Sequence, residues 1–416
     1  MKSRRMVVGL VALIGIVAMS SIAFAGGEPE SRPLLVSRWA GPHADDLKEV
    51  VEDYPGGVVT VDDIDYGSLR QKQLTSFQAA KGTGNYDAVW VASQWMKEYV
   101  DAGYIMPLDD LFSEKGFDIS IYAAGMMDGV QFGGKTYGLP TFAQTLMLAY
   151  DSEAFEAAGV EVPTTSEELV EVARYFKETQ GTGIAIPARQ GSAAVNLYSQ
   201  LMFSSYGYYF DDSGNLALTS EASIYAATIY DQLAKYSVQG SLAWHHDEVA
   251  EAVRTKTAPI GIIISGLANQ NHDPERSLIV DTVKYAVLAG ADGHSAANNN
   301  FWVWTIPTNT NDVDASFDFI TWVTSPEVEK EMTLRNQQIS AITPLANDPE
   351  VLEMAPFLPV VMEELANGRM DPSLANFQTL REALIVGLSE IASTDADPAT
   401  VMRRVQDQLK DVDFSK

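Results

Sequence analysis

Short apolar runs alternate along the chain with segments in which apolar residues recur at helical spacing. The first three runs, Leu34-Leu35-Val36-Ser37, Val58-Val59-Thr60-Val61 and Tyr86-Asp87-Ala88-Val89-Trp90-Val91, are typical of buried strands. Helices are predicted between them, over residues 43–51 and 69–80. Strands that alternate with helices in this way predict an α/β fold with central sheets flanked by helices.

The same alternation continues through the rest of the chain. Ser166 is predicted as the N-cap of a helix over residues 168–177. Further strands are predicted over residues 183–187, 258–266 and 300–307, and further helices over residues 220–236 and 314–324. We find no low-complexity tract and no internal repeat. About 391 residues remain after the leader described below, which exceeds the length at which a single hydrophobic core stops growing, so two lobes are expected.

The first 25 residues have the pattern of a secretory signal peptide. Lys2, Arg4 and Arg5 precede an apolar run over residues 6–19, and Ala23-Phe24-Ala25 offers a cleavage site. A membrane anchor is the alternative, but the run is short for a bilayer span of about 20 residues. We therefore expect an exported protein that is cleaved near Ala25.

The chain contains no cysteine, and this narrows its chemistry and its location. A disulfide framework, a thiol nucleophile, a cysteine-based metal site and a lipoprotein anchor are all excluded. A protein without a lipid anchor diffuses freely, so we expect the periplasm, with release into the medium as the alternative. No cofactor is expected.

The composition is strongly acidic. The formal net charge of −28 becomes −31 once the three basic residues of the leader are removed. Nucleic acid binds through clustered Lys and Arg, and an anionic membrane surface repels negative charge, so neither is an expected partner. We interpret the acidic composition as a feature that keeps the protein soluble. We also expect a monomer.

A phosphate-binding loop is one interpretation of the segment that begins at Gly129. Residues 129–136 match the spacing G-x-x-x-x-G-K-[ST] of nucleoside triphosphatases. That chemistry needs a buried strand before the loop and a helix after it. The preceding residues contain no β-branched run, and Gly138 and Pro140 break a following helix, so the context argues against nucleotide binding.

A second interpretation includes the residues that follow. The segment Gly134-Lys135-Thr136-Tyr137-Gly138-Leu139-Pro140 is followed by Leu148-Ala149-Tyr150-Asp151, by Ala158-Gly159, and by Pro163-Thr164-Thr165 at the start of a helix. This order resembles the extracellular solute-binding proteins of ABC sugar importers, the maltose-binding protein family. Asp151 stands where the family usually has Asn. The resemblance extends from about Leu34 to the C-terminal helices.

The resemblance implies a type II periplasmic binding protein fold, with two lobes linked by a hinge around a cleft. It implies an N-terminal lobe of residues 26–142 plus 302–343 and a C-terminal lobe of residues 143–301 plus 344–416. The chain would cross the hinge near residues 141–143, 300–302 and 343–344. The implied function is capture of a sugar or polyol by lobe closure and delivery to an ABC transporter permease, without catalysis.

Matching the family's strands to this chain places candidate ligand contacts where strands end. A sugar or polyol site needs aromatic faces for C–H surface and planar polar groups for neighbouring hydroxyls. The candidates are Arg38, Trp39, Ser93, Gln94, Trp95, Gln144, Arg189, Gln190, Ser265, Gly266, Asn300, Trp302, Phe377 and Arg381. Gln144 stands where an acidic ligand group is found in the family. Leu267 stands where the family often has a stacking Trp, which favours a mono- or disaccharide or a polyol over a long oligosaccharide.

Alternatives from other classes remain open from the sequence. A secreted carbohydrate-active enzyme would need a pair of carboxylates in the cleft, where the matched positions carry Gln, Arg and Trp. A ligand sensor for a chemoreceptor would share the same fold and cleft. His245-His246-Asp247 lacks further ligands for a metal, and Asp62-Asp63-Ile64-Asp65 lacks the Gly and terminal Glu of a calcium loop.

Overall fold

A computed structural model describes residues 32–83, 85–336, 339–372, 374 and 376–414, and the predicted signal peptide lies outside these residues. The strands are β1 (Leu34–Trp39), β2 (Val59–Ile64), β3 (Ala88–Ala92), β4 (Gln131–Phe132), β5 (Lys135–Thr136), β6 (Leu139–Gln144), β7 (Leu146–Asp151), β8 (Ile184–Ala185), β9 (Ile260–Ile264), β10 (Val283–Ala286) and β11 (Asn300–Thr305).

Helices connect and flank these strands. They are α1 (Pro42–Val50), α2 (Tyr66–Gln78), α3 (Met96–Asp101), α4 (Asp109–Lys115), α5 (Ala124–Met127), α6 (Ser152–Ala158), α7 (Ser166–Gln180), α8 (Ser192–Phe203), α9 (Glu221–Lys235), α10 (His246–Arg254), α11 (Val313–Val323), α12 (Pro326–Asn336), α13 (Pro349–Met354), α14 (Leu358–Ala366), α15 (Phe377–Ser393) and α16 (Pro398–Gln408). No helix in the described part of the chain is long and apolar enough to span a bilayer.

The strands form two larger sheets. The first has the order β2-β1-β3-β11-β6, in which β1 pairs in parallel with β2 and β3, whereas β11 is antiparallel to β3 and β6. The second has the order β10-β7-β9-β8. Strand β3 is buried along its whole length, as the uninterrupted apolar run in its sequence predicts.

The chain passes between the two sheets at two described places. Strand β6 ends at Gln144 in the first sheet and β7 begins at Leu146 in the second, so Thr145 joins them. Between Ala286 and Asn300 the chain returns from β10 to β11. The predicted crossing near residues 141–143 lies inside β6, a few residues before the observed change of sheet.

A buried polar network holds the Thr145 junction. The side-chain amide of Gln200 donates to the carbonyl oxygen of Leu146 at 2.7 Å and to Glu364 at 3.1 Å. Its amide oxygen accepts from the Leu146 N–H and the Thr145 hydroxyl, both at 3.2 Å. Glu364 also accepts from the Leu288 N–H, and burial raises the pKa of Glu364 well above its ordinary value. The network therefore ties α8 and α14 to the passage between the sheets.

The segment that matched a phosphate-loop spacing forms a hairpin. Strands β4 and β5 pair antiparallel, with Gln131 opposite Thr136, and are joined by Gly133 and Gly134. Both glycines have positive φ, 58° and 75°, as a tight two-residue hairpin turn requires. Gly129 packs beneath Met370 and Phe301, where an added Cβ would come within 2.0 Å of the Met370 sulfur. The helix that a phosphate loop needs is replaced here by a strand.

The helix cap predicted at Ser166 is displaced by one residue in the structure. The side chain that caps α7 is Thr165, which accepts from the Glu168 N–H at 3.2 Å, whereas Ser166 was expected to do so. Ser166 instead donates to the carbonyl oxygen of Ala289. Ser220 caps α9, at the boundary where this helix was predicted to begin. The error of one residue arises because Thr and Ser are both good caps and stand side by side.

Apolar side chains form two buried clusters. One contains the first sheet with the helices around it and one face of the second sheet. The other packs α8, α9, α15 and α16 against Leu146, Leu148, Ile260 and Ile262 of the second sheet. Alternate residues of β7 therefore enter different clusters, which places β7 between two layers.

Candidate ligand-binding site

Four aromatic side chains gather at one end of the first sheet. Trp39 ends β1, Tyr66 begins α2, Trp95 follows β3, and Trp302 lies in β11. Trp39 stacks on Trp302 with ring centroids 5.7 Å apart and planes inclined by 19°, and Tyr66 stacks on Trp95 at 5.9 Å. Tyr66 also meets Trp39 edge to face at 5.7 Å. We call Trp39, Tyr66, Trp95 and Trp302 the aromatic cluster.

The aromatic cluster combines a buried base with an accessible rim. Trp302 is 8% exposed and Tyr66 is 45% exposed, while Trp39 and Trp95 are half-buried. The amide of Gln94, an exposed side chain, lies 3.5 Å from the Tyr66 hydroxyl as a hydrogen-bond donor. Flat faces beside an amide and a phenol are the combination that binds C–H surface and hydroxyls together.

Arg381 is held in place by partners from two other segments. Its guanidinium forms an ion pair with Asp371 and donates to the Asn196 amide oxygen at 3.0 Å. Asp371 in turn accepts from the Tyr209 hydroxyl at 2.8 Å. The Arg381 side chain is 14% exposed. A guanidinium has five N–H groups, and the bonds to these two residues use only part of that capacity.

The charge of Arg381 acts on the aromatic cluster. Burial raises the pKa of Tyr66, and the positive charge of Arg381 and the hydrogen bond from Gln94 oppose that rise. An electrostatic effect of this kind requires proximity. Arg381, on α15, is therefore within electrostatic range of Tyr66 in the aromatic cluster.

Gln144 and Gly266 meet at the junction between the sheets. An added Cβ on Gly266 would lie 2.4 Å from the Gln144 side-chain nitrogen, so the glycine leaves room for that amide. The backbone of Gln144 pairs with Asn300 in the first sheet. Ser265 is buried, and its hydroxyl accepts from the Thr145 N–H at 3.1 Å. The structure thus brings together residues 144, 265, 266 and 300, with Ser265 occupied in fixing the junction.

Three other sequence candidates lie in buried surroundings. Arg38 is 2% exposed, and its guanidinium carbon lies 4.1 Å from the centroid of Trp90, so it is in the core beneath the aromatic cluster and not on its surface. Ser93 is buried, and its hydroxyl lies 3.5 Å from the Phe301 N–H. Phe377 is buried against Tyr209, with centroids 5.1 Å apart. All three side chains are therefore buried among neighbouring residues in the structure, and their contact with a ligand stays a prediction.

Arg189 and Gln190 are exposed at the end of β8, beside the start of α10. The Arg189 N–H donates to the carbonyl oxygen of Trp244 at 3.0 Å.

His245 precedes α10 and its N–H donates to Glu248. His246 is 7% exposed, and burial, with the charges of His245 and Arg189, lowers its pKa to about 3. No group of three metal-ligating side chains is present among the described residues, the histidine pair and the Asp62 to Asp65 stretch included.

A cavity of about 490 Å³ opens beside the segment that holds Arg381. Its lining residues are Gly125, Asp128, Gly129, Tyr208, Phe210, Asp211, Asp212, Gly368, Arg369 and Met370. None of the ligand contacts predicted from the sequence lines it. Met370 directly precedes Asp371, the carboxylate partner of Arg381, so the cavity adjoins the candidate site through this segment.

The sequence profile of bacterial extracellular solute-binding proteins matches residues 40–330. The chain belongs to this family. The matched region contains Tyr66, Trp95 and Trp302 of the aromatic cluster and both observed passages between the sheets. This extracellular solute-binding protein therefore shares the type II periplasmic binding protein fold, two lobes around a cleft, and the family consists of binding proteins and not enzymes.

Named relatives bind more than one kind of solute. A Sinorhizobium fredii protein described as a probable amino-acid ABC transporter periplasmic-binding protein is 24% identical over 92% of this chain and 90% of its own. The mannitol-binding protein of Pseudomonas aeruginosa is 24% identical over 77% of this chain and 74% of its own. An ABC transporter solute-binding protein of Agrobacterium radiobacter K84, solved with ribitol, has a TM-score of 0.77 at 24% identity and covers 92% of this chain and 99% of its own.

Tyr66, Asn196 and Asp371 of the candidate site were missed in the sequence. Tyr66 follows Asp65, whose side chain caps α2 by accepting from the Gly67 N–H at 2.9 Å. An aromatic residue at the first position of a helix, next to the capping residue, indicates an exposed side chain. The neighbouring acidic stretch drew attention away from this indication in the sequence. Asn196 lies inside α8 among apolar residues, and nothing in its local sequence indicates that it contacts Arg381.

Proposed function

We propose that this extracellular solute-binding protein captures a mono- or disaccharide or a polyol by closure of its two lobes and delivers it to an ABC transporter permease. The observation that carries the proposal is the aromatic cluster of the first sheet beside Arg381 of α15. Aromatic faces cover the C–H surface of a sugar, and a guanidinium with a neighbouring amide donates to paired hydroxyls.

The ligand in this proposal is neutral. Arg381 is paired with Asp371, so its charge is compensated before any ligand arrives. Gln94 and Asn196, the polar side chains next to the aromatic cluster and Arg381, are uncharged amides, which donate and accept as hydroxyls do. An amino acid would need separate partners for a carboxylate and an ammonium group, and this makes it the second candidate class, favoured by the name of one relative.

Each proposed lobe is built around one of the two sheets, with boundaries that fall within β6 and β11. The N-terminal lobe would contain residues 26–142 and 302–343, and the C-terminal lobe residues 143–301 and 344–416, with a hinge that includes Thr145. Trp39, Gln94, Trp95, Trp302 and Arg381 would contact ligand directly. Ligand that touches both lobes stabilises the closed form in proportion to its differential affinity for that form.

Export, cleavage near Ala25, a monomeric state and a location in the periplasm complete the proposal. The basic and apolar leader of residues 1–25 supports export, and the absence of cysteine supports a protein without a lipid anchor. The net charge of −28 supports solubility and argues against nucleic acid as a partner.

The test is thermal and calorimetric titration of the purified mature protein. The panel contains ribitol, mannitol, glucose, maltose, a set of amino acids, sugar phosphates and ATP. A ligand present at about 1,000 times its dissociation constant adds about 4 kcal/mol of stability. We expect a neutral sugar or polyol to raise the melting temperature and to be recovered chemically unchanged.

Each other result has a defined meaning. Stabilisation by amino acids alone would overturn the carbohydrate assignment and keep solute binding. Consumption of a sugar would indicate an enzyme, and stabilisation by ATP alone would restore the phosphate-loop interpretation of Gly129 to Thr136. The Trp95→Ala variant is the control that should bind solute poorly, since it removes one aromatic face of the site. Trp95 lies after the end of β3, so the strand should keep its fold.

A further inference from the structure

A buried cation lies at the base of a column of tryptophan rings that ends in the aromatic cluster. The guanidinium carbon of Arg38 is 4.1 Å from the centroid of Trp90. Trp90 stacks on Trp302 at 4.2 Å with planes inclined by 16°, and Trp302 stacks on Trp39 at 5.7 Å and 19°. We call Trp90, Trp302 and Trp39 the tryptophan column.

Trp90 lies between its two partners. Both the guanidinium and the Trp302 ring are so close to the Trp90 ring that they cannot share one face without overlapping. The attraction of a cation for the face of an indole is strongest for tryptophan and grows when water is excluded. Arg38 and Trp90 are both buried, so this contact fixes the plane of Trp90 from below.

The column leads outward to the candidate site. Arg38 and Trp90 are in the core, Trp302 is nearly buried, and Trp39 is half-buried at the rim. Stacked rings with planes inclined by less than 20° must tilt together, because a rotation of one ring opens a gap or a clash at the next. The orientation of Trp39 is thereby coupled to Trp90.

Arg38 retains its charge in this position. Burial lowers its pKa to about 9, and the negative charges of Glu329 on α12 and Asp46 on α1 oppose that effect. Burying a cation under an aromatic column costs solvation free energy that burying a methionine or leucine side chain would not cost. Hydrophobic packing alone therefore does not explain why an arginine occupies this position.

We propose that Arg38 is a positioning residue for ligand capture, which orients Trp39 and Trp302 through Trp90 without contacting the ligand. The proposal rests on the proposed function in one respect, that the aromatic cluster binds the solute. It replaces the direct ligand contact that the sequence suggested for Arg38.

The test compares Arg38→Met, which keeps the length of the side chain and removes its charge, with Arg38→Lys, which restores a cation. We expect Arg38→Met to weaken solute affinity about fivefold to tenfold and to change the near-ultraviolet circular dichroism of the stacked indoles, and Arg38→Lys to recover most of both signals. Arg254→Met is the matched control, since Arg254 is a largely buried arginine on α10 whose side chain pairs with Glu251. We expect it to leave affinity and spectrum unchanged.

A double-mutant cycle separates positioning from a general loss of stability. If Arg38 acts through Trp39, Arg38→Met in a Trp39→Ala background should cost much less affinity than in the wild type. Equal costs in both backgrounds would overturn the proposal, as would wild-type affinity and an unchanged spectrum in Arg38→Met. If Arg38→Met does not fold, Trp90→Phe, which shortens the column and keeps a buried ring, must show the same loss of affinity and the same coupling.

The failure of this proposal is distinguishable from failure of the proposed function. If the wild-type protein binds no solute of the panel, the proposed function fails, and the circular dichroism of Arg38→Met and Arg38→Lys still decides whether the cation orders the column. If the wild type binds a sugar or polyol and Arg38→Met binds it equally well, only the positioning role fails.

Discussion

The Arg381 guanidinium donates to the Asn196 amide oxygen at 3.0 Å and so joins α15 to α8 beside the aromatic cluster. The ion pair with Asp371 fixes the other side of the same guanidinium. The two contacts hold a planar donor group in one orientation before any ligand is present. Because the side chain is already ordered, less of its conformational entropy is lost when a ligand binds.

Replacement of Arg381 by alanine should weaken solute binding by a factor of about 10 to 100, since hydrogen bonds to a charged group contribute roughly 1.5–3 kcal/mol. Isothermal titration calorimetry with the best ligand of the panel measures the change. Arg404→Ala is the control, because Arg404 on α16 pairs with Glu390 at the surface. Equal affinities for Arg381→Ala and wild type would remove Arg381 from the site.

Tyr66 should contribute to binding through both its ring and its hydroxyl. Tyr66→Phe keeps the stacking on Trp95 and loses the contact with Gln94, so we expect a decrease of about threefold to tenfold. Tyr66→Ala should cost more, since an aromatic contact adds roughly 0.5–1.5 kcal/mol beyond its buried area. Fluorescence titration measures both variants. Tyr206→Ala, at an exposed tyrosine that stacks on His294, should bind like the wild type.

Gly266→Ala should disturb the site through a single neighbour. The new methyl group would lie 2.4 Å from the Gln144 side-chain nitrogen, so the amide must move. We expect weaker solute binding with a loss of stability of about 1 kcal/mol or less, because a flexible side chain can give way. In a Gln144→Ala background the same substitution should have almost no further effect on affinity. Full additivity of the two changes would show that the glycine acts elsewhere.

The buried His246 side chain should make the free energy of unfolding depend on pH. Its pKa is about 3 in the folded protein and near 6.5 when unfolded, so between these values the unfolded chain binds the additional proton. Stability from this group is complete above pH 6.5 and is lost as the pH falls towards 3, by up to about 1.4 kcal/mol per pH unit. Urea unfolding at pH 4.5 and 7 measures the difference. The His246→Leu variant should lose less stability than the wild type over this interval, and an equal loss would contradict a buried neutral histidine.

Several elements of the fold could be predicted because local patterns decide them. The apolar run of β3 and the alternation of strands with helices are properties of adjacent residues. The start of α9 next to Ser220 and, one residue displaced, the cap of α7 at Thr165 are local properties too. The order of motifs around Gly134 to Pro140 indicated the family. Local patterns also argued against the phosphate loop, because Gly138 and Pro140 break a following helix. The structure shows a hairpin at this segment.

The sequence by itself determined the α/β class, because local hydrophobic patterning decides where strands and helices alternate. The order of its motifs indicated the family, and the match to the family's strands indicated Trp39, Trp95 and Trp302 of the aromatic cluster. Only the tertiary structure decided that Arg38 lies beneath the site, that Tyr66 joins it, and that Asn196 and Asp371 hold Arg381. These relationships join residues up to 185 positions apart in the chain. Such contacts depend on how sheets and helices pack in three dimensions, and no periodicity within one segment carries that information.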